Sequence, residues 1–545
     1  MMEKHIDDKR MPEQDCDEVT RNLMMRMGCS PNTAELCGRA VAVQARGDVC
    51  LGPLNDDELV ALRNVPGIGI PGKKQLLPFV LDGNMLYTRR NWQYEQNIRT
   101  HVRKMAVKCG NVDVPTDGPF EAMEMCQREA VAIMCNYRLS ILTGGPGTGK
   151  TYTIARAVKL IQATWGDKLK LGLAAPTGKA AARVREAMTK EADALGLVNI
   201  PSVLTIHSLL KPNHDFVSFK HNCDNPLDLH WLIVDEASMI DMPLMSKLLD
   251  ALPKDCRLTL VGDAHQLASV EPGRIFSDLC KMAELPKCEL NVSRRFESGG
   301  EIDRLATAVN NGEGDVVVNL LKEKSLTKIH YEEIPANQAH SPQKWGNFKT
   351  RIEELFLTFA EQQTSEGALA KLNACRVLCA LRNGPFGINA MNRFIKNTLE
   401  TRLDAKIPIP TMITKNDHNL AVSNGDVGVI MPDRESRDSL YLYDETDKTI
   451  RKIRQELLPD RETAFASTVH KAQGSEYEDV IVVLPPLHDD DSENIRSLLT
   501  REILYTAITR TKGKVYLYAT DDAIRHCCTH AVERCTGLAN GNNEY

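Results

Sequence analysis

At 545 residues the chain is too long for a single hydrophobic core, and its length asks for roughly three or four domains. Its 42% hydrophobic and 26% charged residues, without low-complexity runs or short repeats, exclude a disordered or fibrous protein. A net charge of −6 excludes a chain that is basic all over, but allows a basic channel inside an acidic exterior.

No apolar run reaches the ~18 residues of a membrane span. Met1 to Glu18 is charged and has no apolar h-region, so a cytoplasmic chain is expected. Sixteen cysteines scattered through predicted helices and strands fit buried free thiols in a reducing compartment.

In chain order, residues 1–115 predict a mostly helical domain with one short β-hairpin. Asp82-Gly83-Asn84 is a turn signal between the apolar runs Phe79–Leu81 and Met85–Tyr87. Val65-Pro66-Gly67-Ile68-Gly69 has the look of a DNA-binding helix-hairpin-helix turn, but a Pro/Gly-rich loop is the simpler reading. Residues 116–285 form a second unit. An amphipathic helix over Glu121 to Cys135 leads into a short apolar strand, Leu139 to Leu142, and carries Gln127. Gln127 is placed either to grip a nucleotide base or simply to face solvent.

Gly144-Gly145-Pro146-Gly147-Thr148-Gly149-Lys150-Thr151 follows that strand and opens a helix from Lys150 through Leu160, the context a phosphate-binding loop requires. Glycines let backbone N–H groups close around phosphate oxygens with no Cβ in the way. The helix N-terminus behind them adds partial positive charge aimed at the same anion. Lys150 is placed to reach the β- and γ-phosphates of ATP, and the Thr151 hydroxyl to bind Mg²⁺.

Further apolar strands follow, each delivering polar residues at its carboxyl end. Leu169 to Ala175 ends in Pro176-Thr177-Gly178-Lys179, and Trp231 to Val234 ends in Asp235-Glu236. Leu258 to Val261 ends in Gly262-Asp263 with Gln266. Near-continuous apolar strands alternating with helices predict a parallel sheet covered on both faces, with ligands at the strands' carboxyl ends. Asp235 can then hold Mg²⁺, Glu236 can orient and deprotonate the attacking water, and Gln266 can sense the γ-phosphate.

Between Thr205-Ile206-His207 and the Asp235 strand, residues 211–227 exceed what a simple connection needs. Phe216 and Phe219, beside Lys220, His214 and His221, predict a hairpin able to stack on an unpaired base. An anchor of the loop to its own domain is the alternative. Residues 286–545 form a third unit with strands Arg376 to Ala380, Asp479 to Leu484 and Lys514 to Tyr518. Within it, residues 410–465 carry short alternating strands and predict a small β-barrel insert. Arg295 and Arg510 lie outside the first sheet and can supply positive charge to a transferring phosphate. His526, Cys527, Cys528, His530 and Cys535 fit no standard zinc spacing. Asp489-Asp490-Asp491 is expected to be a solvated loop.

The phosphate loop, Pro176 to Lys179, Asp235 to Ser238, Gly262-Asp263 with Gln266, Arg295, Thr468-Val469-His470-Lys471-Ala472-Gln473-Gly474, and Tyr505 to Arg510 occur in the order found in superfamily 1 DNA helicases. Their spelling resembles the RecD family, the alpha subunits of exodeoxyribonuclease V, over residues 70–520. Leu81-Asp82-Gly83 with Leu86-Tyr87, and Gly384-Pro385-Phe386-Gly387, carry the resemblance beyond helicases at large.

The resemblance implies an α/β fold with two RecA-like motor domains, a helical N-terminal domain that docks partner subunits, and an SH3-like insert. It implies that Lys150, Thr151, Asp235, Glu236, Gln266, Arg295 and Arg510 fall on ATPase positions, with Gln127 and Gly474 at the nucleotide. It places Thr177, Thr205, His207, Thr468, His470 and Lys471 on motifs that touch single-stranded DNA or couple it to ATP, and locates a small hairpin near Phe216 and Phe219.

It also implies a 5′→3′ motor on single-stranded and duplex-end DNA. Its partners would be a RecB-like motor-nuclease and a RecC-like structural subunit in a heterotrimer for recombinational repair. No nuclease-like acidic cluster lies outside the motor units. A free-standing helicase, a vestigial regulatory motor and a non-helicase ATPase are the alternatives. The intact Lys150, Asp235 and Glu236 count against the second, and Thr468 to Gly474 against the third.

Overall fold

The computed structural model describes residues 13–538 apart from 73–75, 167, 198–199, 214–217, 270, 294, 297–298, 335–341, 418, 433–436, 445–448 and 488–492. Among the described residues the strands form four sheets, two of them wholly parallel. The first parallel sheet has the order Lys287–Leu290, Leu139–Gly144, Arg257–Gly262, Trp231–Val234, Leu171–Ala175, Val203–Thr205.

Leu139–Gly144 and Trp231–Val234 are buried throughout, which is why neither carries a charged residue. Leu142, Ile233 and Val261 share one core with helices Met125–Asn136, Lys150–Trp165 and Gly178–Leu195. Ile141, Leu232 and Leu260 share the opposite core with Arg89–Met105, Ile206–Leu210 and Met242–Ala251.

The second parallel sheet has the order Ile329–Glu333, Val515–Ala519, Asp479–Val483, Cys375–Cys379, Ala466–Thr468. Val480, Val482, Val515 and Leu517 pack in the core of helices Glu301–Asn310 and Arg501–Ile508. Val377, Ile481 and Tyr516 join Phe348–Ala360 and Ile388–Leu403 on the other side. Between Ile388–Leu403 and Ala466–Thr468 the chain makes a five-stranded antiparallel sheet in the order Thr449–Arg454, Asp438–Asp444, Val427–Pro432, Ile409–Ile413, Arg461–Thr463. Its own small core includes Ile413, Leu440, Leu442 and Ile453.

The N-terminal hairpin Phe79–Asp82 and Met85–Thr88 extends into a four-stranded sheet with Cys50–Leu51 and Ile68–Gly69. Ile68–Gly69 is therefore a sheet edge, paired in parallel with Phe79 and Val80, and not a helix-hairpin-helix turn.

Two findings bear on the expected division into residues 116–285 and 286–545. Strand Lys287–Leu290 belongs to the first sheet, where it pairs with Ile141 to Gly144. It was missed because only Cys288 and Leu290 are buried, so a four-residue edge strand looks like a polar loop.

At the other end, the segment after helix Asp521–Thr529 leaves the second sheet and returns to the N-terminal one. Val49 N–H donates to Cys535 O at 2.9 Å. Arg534 donates to Gly273 O at 2.7 Å and Ser269 O at 2.8 Å. All sixteen cysteines are free thiols. Among the described residues no helix is long and apolar enough to cross a membrane.

Candidate active site

Leu139–Gly144 delivers the glycine-rich loop, and helix Lys150–Trp165 starts at Gly149, whose φ of +84° belongs to the left-handed region that glycine tolerates. Gly147 has φ +78°, and a Cβ there would lie 2.3 Å from Arg295 Cβ. Only glycine lets the Arg295 segment approach this closely. Ser293 Oγ donates to Pro146 O at 3.1 Å, holding that segment on the loop. Thr148 Oγ1 donates to Gly145 O at 2.8 Å. Lys150 Nζ donates to Gly144 O at 2.7 Å and Gly145 O at 3.0 Å, which keeps the ammonium over the strand end.

A cavity of about 260 Å³ opens here. It is lined by Pro146, Gly147, Gly149, Lys150 and Thr151 of the loop, Asp235, Glu236 and Gln266 of the neighbouring strand ends, and Arg295 and Arg510. All seven residues expected to work on ATP therefore face one space. Gln127 is 2% exposed rather than solvent-facing, and its Nε2 lies 2.9 Å from where a Gly149 Cβ would be. Its Oε1 accepts from Glu124 N–H at 3.2 Å, closing a capping box at the start of Met125–Asn136.

The two acids differ. Asp235 is buried, and burial together with the charge of Glu236 raises its carboxyl to about 6. Its Oδ1 accepts from Glu236 N–H at 2.8 Å. Glu236 has φ +53°, a strained conformation for a non-glycine residue of the kind that clusters at functional sites.

Among the described residues no group of three or more His, Cys, Asp or Glu side chains could cage a metal. One carboxylate and a hydroxyl fit Mg²⁺, which keeps water and phosphate oxygens as its other ligands. The Thr151 and Asp235 donor set is chemically suited to that ion. Gln266 donates through Nε2 to Asp263 Oδ2 at 3.0 Å, while its buried Oε1 has no partner. An unsatisfied buried acceptor beside a cavity is a natural seat for a donor brought by a ligand or its water.

The arginines arrive from outside the first sheet. Arg510, 2% exposed, donates to Thr506 O at 3.1 Å and Ser475 O at 3.4 Å. Arg295 donates to Thr509 O at 3.2 Å. Burial, and then the neighbouring Arg183 and Arg510, pull its guanidinium down to about 9.

The strand end that carries Gln266 is bonded directly to the second body. Leu267 N–H donates to Thr506 Oγ1 at 3.2 Å, and Gln473 Nε2 donates to Leu267 O at 2.8 Å. Tyr505 OH donates to Asp263 Oδ2 at 3.3 Å. Arg183, Glu476 and Tyr505 were not singled out from the sequence. The first two line the cavity, yet Arg183 reads as one more charge on an amphipathic helix.

The nucleic-acid candidates fall elsewhere, and none of the six described residues below lines the cavity. Thr177 caps Gly178–Leu195, accepting from Ala180 N–H, and Thr205 caps Ile206–Leu210. Strand order explains the partition. The phosphate loop, Asp235, Glu236 and Gln266 follow the three inner strands Leu139–Gly144, Trp231–Val234 and Arg257–Gly262, whereas Thr177 and Thr205 end the two strands at one side. Thr468 ends the edge strand of the second sheet, followed by the short helix His470–Ala472. Lys471 is ion-paired at 2.7 Å with Glu462 of the antiparallel sheet. Gly474 has φ +66°, and a Cβ there would lie 3.9 Å from Ala180 Cβ, so this segment meets the Thr177 helix.

For the segment at 211–227 the sequence left two readings open, a hairpin that stacks on an unpaired base and an anchor to its own domain. Residues 211–213 pair antiparallel with 218–220, Asn213 N–H donating to Ser218 O and Lys220 N–H to Lys211 O. Phe219, however, is 9% exposed and belongs to the same buried cluster as Leu210, Leu227 and Leu248. Its ring lies 5.8 Å from that of exposed His207, with Lys247 Nζ 5.2 Å above it. It anchors the segment and is not free to stack on a base. Phe216, His214 and Asp489 to Asp491 lie outside the described residues. Phe219→Ala is expected to cost about 3 kcal/mol of stability, as for other buried aromatics. Chemical denaturation measures the loss, and unchanged stability would return Phe219 to the surface.

Residues 127–272 match the AAA domain family, and residues 463–518 match the UvrD-like helicase C-terminal domain family. The chain is 34% identical to the RecBCD enzyme subunit RecD of Mycolicibacterium smegmatis, a similarity covering 92% of this chain and 89% of the relative. It is 29% identical to the RecBCD enzyme subunit RecD of Haemophilus influenzae, over 85% of this chain and 81% of that one. The ATP-dependent RecD2 DNA helicase of Deinococcus radiodurans is 29% identical over 73% of this chain and 50% of its own length. With the nucleotide cavity assembled from two parallel-sheet bodies and a relative matched this far along both chains, the chain belongs to the RecD family.

Proposed function

We propose that the chain is an ATP-dependent 5′→3′ DNA helicase subunit of a RecBCD-like complex, acting in the cytoplasm on single-stranded DNA and duplex ends during double-strand break repair. The observation that carries this reading is the single cavity shared by the phosphate loop, Asp235, Glu236 and Gln266 on one side and Arg295 and Arg510 on the other. A motor needs its ATP contacts divided between bodies that can move, so that hydrolysis changes their separation.

In this reading Lys150 binds the β- and γ-phosphates, Gln127 grips the adenine, and Glu236 takes a proton from the attacking water. Gln266 registers the γ-phosphate, and the arginines meet the charge that builds on its oxygens. Thr151 and Asp235 would hold Mg²⁺, which neutralises β- and γ-phosphate charge when bound.

Residues 116–290 serve as the first RecA-like motor and the body of the second parallel sheet as the other. The antiparallel sheet is the SH3-like insert, and the N-terminal domain docks RecB-like and RecC-like partners. Nuclease activity resides in the RecB-like subunit. The similarity spans 89% and 81% of the RecD subunits of Mycolicibacterium smegmatis and Haemophilus influenzae but 50% of the RecD2 helicase of Deinococcus radiodurans, which supports the subunit reading.

Thr177, Thr205, His207, Thr468, His470 and Lys471 form the DNA track. Single-stranded DNA is then expected to stimulate ATP turnover, with affinity falling by about 0.7 log units per neutralised phosphate for each log unit of salt. Titration of ATPase rate with oligonucleotide at several salt concentrations tests this. An ATPase indifferent to both DNA and salt rejects the motor.

A further inference from the structure

Arg183 lies on the second turn of Gly178–Leu195 and lines the nucleotide cavity beside Lys150, Asp235, Glu236 and Arg295. Its guanidinium is ion-paired with Glu476 Oε1, and Arg295 is ion-paired with that same oxygen. Lys512 Nζ lies 3.4 Å from Glu476 Oε2. One carboxylate thus serves three cations, and Arg510 stands beside both arginines. Three cations on one carboxylate leave this group with more positive charge than Glu476 neutralises; burial, and then the like charges on Arg183 and Arg510, lower Arg295.

A terminal phosphate suits the arrangement better than a carboxylate. It offers three oxygens and a higher charge, and the guanidinium fork matches it. Glu236 lines the same cavity, and its charge favours both guanidinium groups.

We propose that Arg183 is a further ligand of the ATP γ-phosphate, and that Glu476 is the internal anion it leaves when a nucleoside triphosphate enters. The inference rests on the ATP-site reading above and adds a residue and an exchange to it. Arg183 belongs to the first parallel-sheet body, whereas Glu476 lies between Gly474 and strand Asp479–Val483 of the second. Their ion pair is a link between the bodies that triphosphate breaks and diphosphate leaves whole. Glu476 stands two residues beyond Gly474, so its release changes what holds the Thr468 to Gly474 segment against the Ala180 turn.

Equilibrium binding of Mg²⁺ complexes of the β,γ-imido ATP analogue and of ADP to the full chain tests the exchange. Arg183→Ala is expected to weaken the triphosphate analogue about tenfold, the scale of one charge-assisted hydrogen bond, and to leave ADP unchanged. Arg183→Lys restores part of the loss. Glu476→Gln, which removes the competing anion, tightens the triphosphate analogue several-fold without changing ADP.

An unchanged analogue-to-ADP affinity ratio in Arg183→Ala overturns the proposal. So does equal weakening of both nucleotides in Glu476→Gln, which would make Glu476 a direct nucleotide contact. If Arg183→Ala does not fold, the Lys and Gln variants carry the decision. Failure of the unaltered chain to bind either nucleotide would instead reject the ATP site itself.

Discussion

Lys150→Gln abolishes ATP turnover and leaves the fold in place. The ammonium bonds two loop carbonyls, Gly144 O and Gly145 O, and a glutamine amide can replace one of those contacts. The positive charge that neutralises the β- and γ-phosphates cannot be replaced, so phosphate binding and catalysis fail together.

Glu236→Gln separates the two steps. The side chain keeps its size, Asp235 and Thr151 stay available to the metal, and nucleotide still binds. Without a carboxylate to accept the proton from water, turnover falls by about 10²–10⁴-fold, the usual contribution of a general base. Steady-state ATPase assays beside nucleotide binding measure both variants. Wild-type turnover in Glu236→Gln would move the base to another residue.

The second large effect is expected at the arginines. Arg295→Ala and Arg510→Ala each depress turnover by roughly 10³-fold, the scale of an arginine finger, with a smaller change in ATP affinity. Arg510 needs a control because it is almost wholly buried and bonded to Thr506 O and Ser475 O, so alanine also leaves a hole. Arg510→Lys keeps charge and most of the volume but loses the planar fork. Slow turnover with an unaltered melting temperature in that variant assigns the arginine to the phosphate. A loss of binding equal to the loss of turnover would make either arginine a structural pin.

Much of the site was legible because its signals are local. The phosphate loop is eleven consecutive residues, Ile141 to Thr151, whose glycines, strand and helix can be recognised without knowing what surrounds them. Asp235-Glu236 and Gln266 were legible for the same reason, each standing at the carboxyl end of an apolar strand. The antiparallel pairing of 211–213 with 218–220 followed from excess loop length. The burial of its Phe219 did not, because an aromatic beside basic residues looks alike whether it faces solvent or the core.

The sequence by itself determined the chemistry: a nucleotide loop, a pair of acids, two distant arginines and a set of hydroxyl and basic residues. It also pointed to two parallel sheets, since apolar strands alternating with helices bury both faces most simply as crossover units. Only the tertiary structure decided which residues meet. Strand order put the phosphate loop, the two acids and Gln266 on inner strands and Thr177 and Thr205 to one side, and no spacing in the chain encodes that order. The approach of Glu476 to Arg183 spans 293 positions, and that of Cys535 to Val49 spans 486, so neither leaves a periodic trace. Strand Lys287–Leu290 went unread because an edge strand needs only two buried side chains to hold its place. Contacts of this kind are fixed by how whole layers pack against one another, and a layer's position depends on every strand in it rather than on any one segment.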